Sequence, residues 1–556
     1  MNFSDKSKVS TVNRGMGASL TPQRAPLAAF LIAACFFLLF LALRTNNFTS
    51  MDGALRCLGV FFKGDRFHDN NHMLYPFWIS MWARVNDLLG IHASDAFQFI
   101  RISQAMNAFA AASSVGFLYL LIEPLAGLRA AVLGSLAFGF SGALTVQATT
   151  SDEAPAGLFF ALLALVILAS GVRNSNPIAV FLAGFCMTLG LASYEAMGTV
   201  VGPAILLCCF WPVSPSGQSE PLPIVRRLAI AAAGGAVGVF IVYGWAYASQ
   251  GVPLTSMPFR FLSLGGAPQV YAGADLIITK VLNAPFGLIE WLFAAVPPDY
   301  GGIRSLLHHS LRFIWVPVVF VAFSLIAVIF VLAVQGWRIM ARPVTPLRLA
   351  LALGAGLFVG FPLWYWSPLN PKLWLFPLAC IVFVLSAGSA RGLLAPRAHK
   401  LLTACLLVWV LAEIARNVPV MVRDHINATP HLEDAAEVAG MIGPDDWVVL
   451  DFDDVSTLWQ SIWGYNAKSL LLPASTLTSA SQWLDRAKAS CRERRGRILF
   501  IGVLQQSRAT WDAFLGSRVG IPFEFLDDYR KRATLLKRLN KSGSPVEVWQ
   551  FTPASS

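Results

Sequence analysis

The sequence predicts an α-helical polytopic membrane protein of about 11 spans, with a small C-terminal α/β domain outside the cytoplasm. Three observations predict it. Of 556 residues, 56% are hydrophobic and only 13% are charged, too little charge to cover a soluble chain of this length. Apolar runs of about 17–22 residues recur along most of the chain, long enough to cross a hydrocarbon core about 30 Å thick. After Pro419 the composition turns to mixed polar and apolar, as a folded domain in water requires.

The elements follow in order. A polar start with Lys6, Lys8, Arg14 and Arg24 precedes an apolar run from Ala25 to Leu43. No small-x-small cleavage pattern follows it, so it reads as an uncleaved first helix with its N-terminus in the cytoplasm. The spans are expected at residues 26–43, 98–122, 129–147, 155–171, 177–194, 196–211, 228–248, 313–335, 349–366, 372–388 and 401–418. With that count the basic loops at Arg173, Arg226–Arg227, Arg338–Arg348 and Arg391–Lys400 share the cytoplasmic side, and the tail lies on the opposite side. Two apolar stretches are denied a crossing. Met73 to Ile91 carries Trp78, Trp82, Arg84, Asn86 and Asp87 with its apolar residues on one helical face, which suits a helix in the interface. Leu276 to Val296 carries Lys280, Asn283, Pro285 and Glu290 and reads as interfacial or re-entrant.

The expected organisation is a cytoplasmic segment (1–25), a first membrane module (26–248) with an outer loop at 44–97, an outer loop (249–312), a second membrane module (313–418) and an extracytoplasmic α/β domain (419–556). In that domain Trp447–Leu450 and Arg497–Ile501 read as buried strands, and Ser481–Arg494 as a helix. The expected location is the inner, or plasma, membrane.

The net charge of +11 does not point to nucleic acid, because the basic residues fall mainly in short loops between spans. Eight cysteines are scattered without a CxxC pair, and most lie in spans as small apolar packers. Cys57 and Cys491 fall on the oxidising side, where they form either a disulfide or two free thiols.

Polar chemistry collects in the non-cytoplasmic loops. The first brings Asp52, Arg56, Asp65, Arg66, His68, Asp69 and His72. The next brings Asp152-Glu153 behind Thr149-Thr150-Ser151, and the fifth span ends in Tyr194-Glu195. Later loops bring Arg260, Lys280, Glu290, Asp299 and Lys372. Any one of these acids is, blandly, a solvated loop carboxylate, since an ionised carboxylate is expelled from hydrocarbon. Their convergence on one face is the informative feature. A carboxylate can take a proton from an attacking hydroxyl, while Arg and Lys hold a departing phosphate.

Two local motifs carry less. His68-Asp69-Asn70-Asn71-His72 has the i, i+4 spacing of a metal pair, but Asn-Asn favours a turn or cap. Asp451-Phe452-Asp453-Asp454 after a short strand is similar to the opening of haloacid dehalogenase-type phosphatases, but the downstream Ser/Thr and Lys of that family are missing. A strand running into a solvated acidic turn explains it as well.

The first 250 residues resemble the polyprenyl-phosphate-sugar-dependent glycosyltransferases of the GT-C type, which include protein O-mannosyltransferases and the aminoarabinose transferases of lipid A. The matched features are Asp52 just beyond the first span, the long 44–97 loop, and His72-Met73-Leu74-Tyr75-Pro76. Arg101 in Phe99-Ile100-Arg101-Ile102, the acidic Ser151-Asp152-Glu153 and Lys372 before Pro377 match further points. Asp52 is followed by Gly53, where many relatives carry a second acid, and Glu195 stands where relatives often have a basic residue.

The resemblance implies a GT-C-like fold and inverting transfer of a sugar from a polyprenyl-phosphate carrier to a lipid, glycan or protein acceptor. It implies catalytic roles for Asp52, as base, and for Asp152 and Glu153, which would orient the acceptor or hold a divalent cation. Arg101, Lys372, His72 and Arg56 would bind the carrier phosphate.

Two other classes compete. A transporter or lipid flippase needs polar groups near the bilayer midplane and often shows paired repeats, whereas most charges in these spans sit within a turn or two of an end and no repeat is evident. A non-catalytic assembly protein would leave Asp52, Arg101 and Lys372 scattered in space.

Overall fold

The computed structural model describes residues 24–46, 73–94, 96–211, 222–249, 374–388, 396–426, 440–450, 468–471, 477–493, 496–505, 507–511, 521–539 and 546–552, with single positions including 56, 57 and 61. The predicted spans at 313–335 and 349–366, the 276–296 segment, Asp52, His72, Lys372 and Asp451–Asp454 lie outside the described residues. The chain divides into two compact units. The first takes in residues 1–45, 64–92 and 101–423; the second takes in 46–63, 93–100 and 424–556.

The membrane unit is helical. Helix α1 is Arg24–Ala42, α2 is Tyr75–Leu88, α3 is Ala96–Ala126, α4 is Leu128–Gly139 and α5 is Gly142–Thr149. Helices α6 (Ala154–Arg173) and α7 (Pro177–Ser193) follow, then a 3-10 turn at Glu195–Val200, α8 (Val201–Phe210), α9 (Ile224–Ser249), α10 (Leu375–Gly388) and α11 (Pro396–Ile426). Among the described residues, five helices are long and apolar enough to cross a membrane, or six if the bent α4–α5 pair is one span. Shorter apolar helices occupy the predicted spans at 177–194, 196–211 and 372–388.

Local chemistry sets the boundaries. Helix α6 starts with Pro155 in its first turn, and the Asp152 carboxylate accepts the Ala154 N–H at 3.0 Å. Helix α7 starts at Asn176, whose side chain accepts from Ile178 and Ala179, followed by Pro177. The turn between α3 and α4 is made by Gly127 at φ 81, a left-handed backbone that a side chain would disfavour.

The third predicted span was expected as one helix over 129–147, but it breaks at Phe140–Ser141 and bends by 60°. Ser141 is the cause: its hydroxyl accepts the Leu144 N–H and donates to the Phe138 carbonyl, so it starts a new helix where the old one would run on. Asn417 from α11 donates to the Phe140 carbonyl freed by the break, at 2.6 Å. The sixth predicted span likewise begins as a 3-10 turn, and α11 runs well beyond its expected bounds of 401–418.

Small residues let α7 and α9 cross closely. A Cβ on Gly184 would lie 2.0 Å from the Ala231 carbonyl oxygen, and one on Gly234 would lie 2.0 Å from that of Phe181. At the same crossing Thr188 donates to the Gly235 carbonyl at 3.0 Å.

The second unit contains a five-stranded mixed sheet in the order β2-β1-β3-β5-β4. Strands β1 (Trp447–Leu450), β2 (Lys468–Leu471) and β3 (Ile498–Ile501) run parallel; β5 (Val546–Phe551) is antiparallel to β3 and to β4 (Ala533–Leu539). Helix α12 (Leu477–Arg492) makes the crossover from β2 to β3. Val449, Phe500, Leu484, Trp511 and Leu526 form its buried core. Cys57 and Cys491 are not joined by a disulfide.

Candidate active site

Polar side chains gather at one end of the membrane unit, where the chain leaving α1 meets the first turns of α3 and the loop between α5 and α6. Arg101 donates to the Thr45 carbonyl and to the Gln104 amide oxygen, each at 3.0 Å, and Gln104 donates to the same Thr45 carbonyl at 3.1 Å. Thr45 N–H then donates to the Thr149 carbonyl at 3.1 Å. Arg44 donates to the Arg101 carbonyl at 3.1 Å, which sets two guanidinium groups close enough to repel each other. Backbone and amide acceptors hold this electropositive corner together.

A second layer lies beside it. Asn107, one turn beyond Ser103 on α3, donates from its amide to the Thr150 carbonyl at 2.9 Å and the Asp152 carbonyl at 2.7 Å. The Ser103 and Ser151 hydroxyls are 2.9 Å apart. Tyr75 reaches this pair from the start of α2, with its hydroxyl 3.3 Å from Ser103 and 3.5 Å from both Ser151 and the Asn107 side-chain oxygen. Ser103, Gln104, Asn107, Asp152 and Glu153 are all wholly buried. A buried polar group without a partner is costly, so such a network persists only when its members satisfy one another.

The acids differ from the solvated loop carboxylates of the bland sequence reading. Asp152 caps α6, and the Gln147 amide, turned with its nitrogen toward the acid, lies 3.2 Å from both carboxylate oxygens. Glu153 is the adjacent residue. Glu195, at the junction of α7 and the 3-10 turn, is pushed up to about 7 by burial, with the nearby Glu153 charge adding to the effect. Among the described residues no group of three or more metal-ligating side chains forms.

The structure therefore brings Arg101, Asp152 and Glu153 into one connected region, tied to Thr45 at the start of the loop that contains Asp52. Arg56 falls in the second unit, and Asp52, His72 and Lys372 fall outside the described residues. The Leu74–Trp78 stretch is anchored on both sides: beyond the Tyr75 contacts, Leu74 N–H donates to the Ala192 carbonyl at 2.9 Å and the Trp78 indole donates to Ser193 at 2.8 Å. Sequence reasoning missed Ser103, Gln104 and Asn107 as members of the site, and met Tyr75 only inside the His72–Pro76 motif. The signal was present, because residues 100, 103, 104 and 107 share one helical face and three of the four are polar inside an apolar span.

The architecture has known counterparts. ArnT from Cupriavidus metallidurans in the apo state superposes with a TM-score of 0.54 at 13% identity, covering 95% of this chain and 98% of that one. The same enzyme bound to undecaprenyl phosphate gives 0.51 at 12% identity, with the same coverage. The apo oligosaccharyltransferase of Archaeoglobus fulgidus gives 0.50 at 13% identity, covering 91% of this chain and 72% of that one. This chain shares the fold of these two proteins. No family model matches the sequence, and no curated protein matches it. The likeness is therefore one of fold, and the chemistry has to be argued from this chain's own residues.

Proposed function

We propose that the chain is an integral membrane glycosyltransferase that moves a sugar from a polyprenyl-phosphate carrier to a lipid, glycan or protein acceptor on the outer face of the membrane. The observation that carries this reading is the link from Arg101 through Thr45 to Thr149, which brings a cationic corner beside the loop of the Asp152–Glu153 acids. The GT-C-type fold, and the undecaprenyl phosphate bound by ArnT, support the choice of carrier.

In this reading Asp52 takes the proton from the acceptor hydroxyl as its oxygen attacks the anomeric carbon. The bond from that carbon to the carrier phosphate breaks, and the sugar's configuration is inverted. Arg101 and Lys372, with Arg56 and His72, stabilise the departing phosphate. Glu153 orients the acceptor, while Asp152 fixes the loop by capping α6. A chelation experiment tests whether a divalent cation takes part, with Asp152 and Glu153 as its ligands.

The experiment is incubation of purified protein with labelled polyprenyl-phosphate sugars and membrane extract, followed by identification of the labelled product. The expected result is a glycosylated acceptor that does not form with Asp52→Asn, although that variant folds normally. Full turnover by Asp52→Asn rejects its role as base. Movement of carrier across proteoliposomes without covalent product favours the flippase reading instead.

A further inference from the structure

A carboxyl group is sealed inside α11. Glu413 lies near the middle of that helix and is wholly buried, and among the described residues neither of its side-chain oxygens has a partner in hydrogen-bond geometry. Trp409 and Asn417, one turn to either side, are buried on the same face, as are Leu402, Leu406 and Val410. Asn417 is committed to the Phe140 carbonyl at the bend between α4 and α5.

The consequence follows from solvation. The Trp409 indole lies toward this carboxyl, but burial outweighs it and no counter-ion faces Glu413 among the described residues; burying an uncompensated ion costs several kcal/mol even after relaxation. In a membrane-spanning helix the alternative is to stay neutral. We propose that Glu413 is a membrane-embedded proton-binding site: it stands as the carboxylic acid at neutral pH and is the position at which hydrophobic carbodiimides modify this protein. Its ligand is a single proton. In the modification the acid's proton moves to a carbodiimide nitrogen and its oxygen bonds to the central carbon. The O-acylisourea then rearranges by oxygen-to-nitrogen acyl transfer to a stable N-acylurea, and nothing leaves.

The proposal is independent of sugar transfer, so its test does not use that activity. The full-length protein in detergent or vesicles at pH 7 is treated with dicyclohexylcarbodiimide, digested and mapped by mass spectrometry. A parallel sample receives a water-soluble carbodiimide and an amine nucleophile. The expected result is an N-acylurea on the Glu413 peptide with the hydrophobic reagent, none with the water-soluble pair, and none at that position in Glu413→Gln. Amine capture at Glu413 from water overturns the proposal. If the hydrophobic reagent leaves Glu413 unmodified, the infrared difference between wild type and Glu413→Gln decides. A protonated-carboxyl C=O band that shifts in D2O and vanishes in the variant sustains the proposal; its absence overturns it.

Discussion

The two units of the chain bury polar groups in opposite styles. In the second unit, Asp446 is 3% exposed and answered completely: its carboxylate accepts from the Arg497 backbone N–H at 2.8 Å, from Gly443 N–H at 2.8 Å and from the Arg497 guanidinium at 2.6 Å. That is a staple closing the start of β1 against the start of β3. In the membrane unit, polar side chains spread over Tyr75, Arg101, Ser103, Gln104, Asn107 and Thr150–Glu153, and they hold together segments far apart in sequence. One acid, Glu413, is wholly buried with no counter-ion among the described residues. Burial of a polar residue does not by itself mark a site. A closed pair with backbone donors is structure, whereas a network that joins several loops at one end of a bundle is where chemistry can be positioned.

The contrast can be broken at its strongest point by Asn107→Leu. That change strips two buried carbonyls, those of Thr150 and Asp152, of their donor, and an orphaned buried group costs about 1–3 kcal/mol. Transfer activity should disappear, and thermal unfolding in detergent should shift down. Full activity in this variant would mean that the network does not position the acids.

Next in size, Asp446→Ala should loosen the second unit alone. Hydrogen bonds to a charged group are worth about 1.5–3 kcal/mol, so amide exchange should rise in β1 and β3 and stay unchanged in α6 and α7. Acid should mimic it. Burial raises the Asp446 pKa, but its hydrogen bonds from Arg497 and Gly443 outweigh burial and hold it below the usual carboxylate range. Its stabilisation is therefore complete above the unfolded-state value of about 3.9 and is lost as pH falls through the lower folded value. Exchange in β1 and β3 measured across that range checks the sign.

Gly184→Ala tests the packing rather than the network. Its Cβ would meet the Ala231 carbonyl at 2.0 Å, so α7 and α9 must separate, with an overpacking cost of about 1–3 kcal/mol read by thermal unfolding. The smallest effect is expected from Tyr75→Phe. Its hydroxyl contacts are long, at 3.3–3.5 Å, so the loss should be at most about 1 kcal/mol, with transfer lowered only a few-fold.

Much of the fold was legible because membrane solvation writes it in long apolar runs, and the α3, α6 and α9 spans lie close to their predicted bounds. The bend at Phe140 was not, because hydropathy averages over Gly139, Ser141 and Gly142 and cannot see a hydroxyl capping a new helix. In the second unit, β1 and β3 were readable as apolar runs. The edge strand β4 was not read, because Thr534–Arg538 faces solvent and has no buried face to set a period. In the candidate site Arg101, Asp152 and Glu153 stood out by charge. Ser103, Gln104 and Asn107 did not, because neutral polar residues pass in apolar helices and only their partners reveal them.

The account depends on the Asp52 loop and Lys372 serving the same end of the bundle. The direct measurement is labelling of single-cysteine variants Asp52→Cys and Lys372→Cys, in a background without native cysteines, by a membrane-impermeant thiol reagent applied to one side of sealed, oriented vesicles. The account predicts that both positions react from the outer side and neither from the cytoplasmic side. Reaction of the two from opposite sides would contradict it.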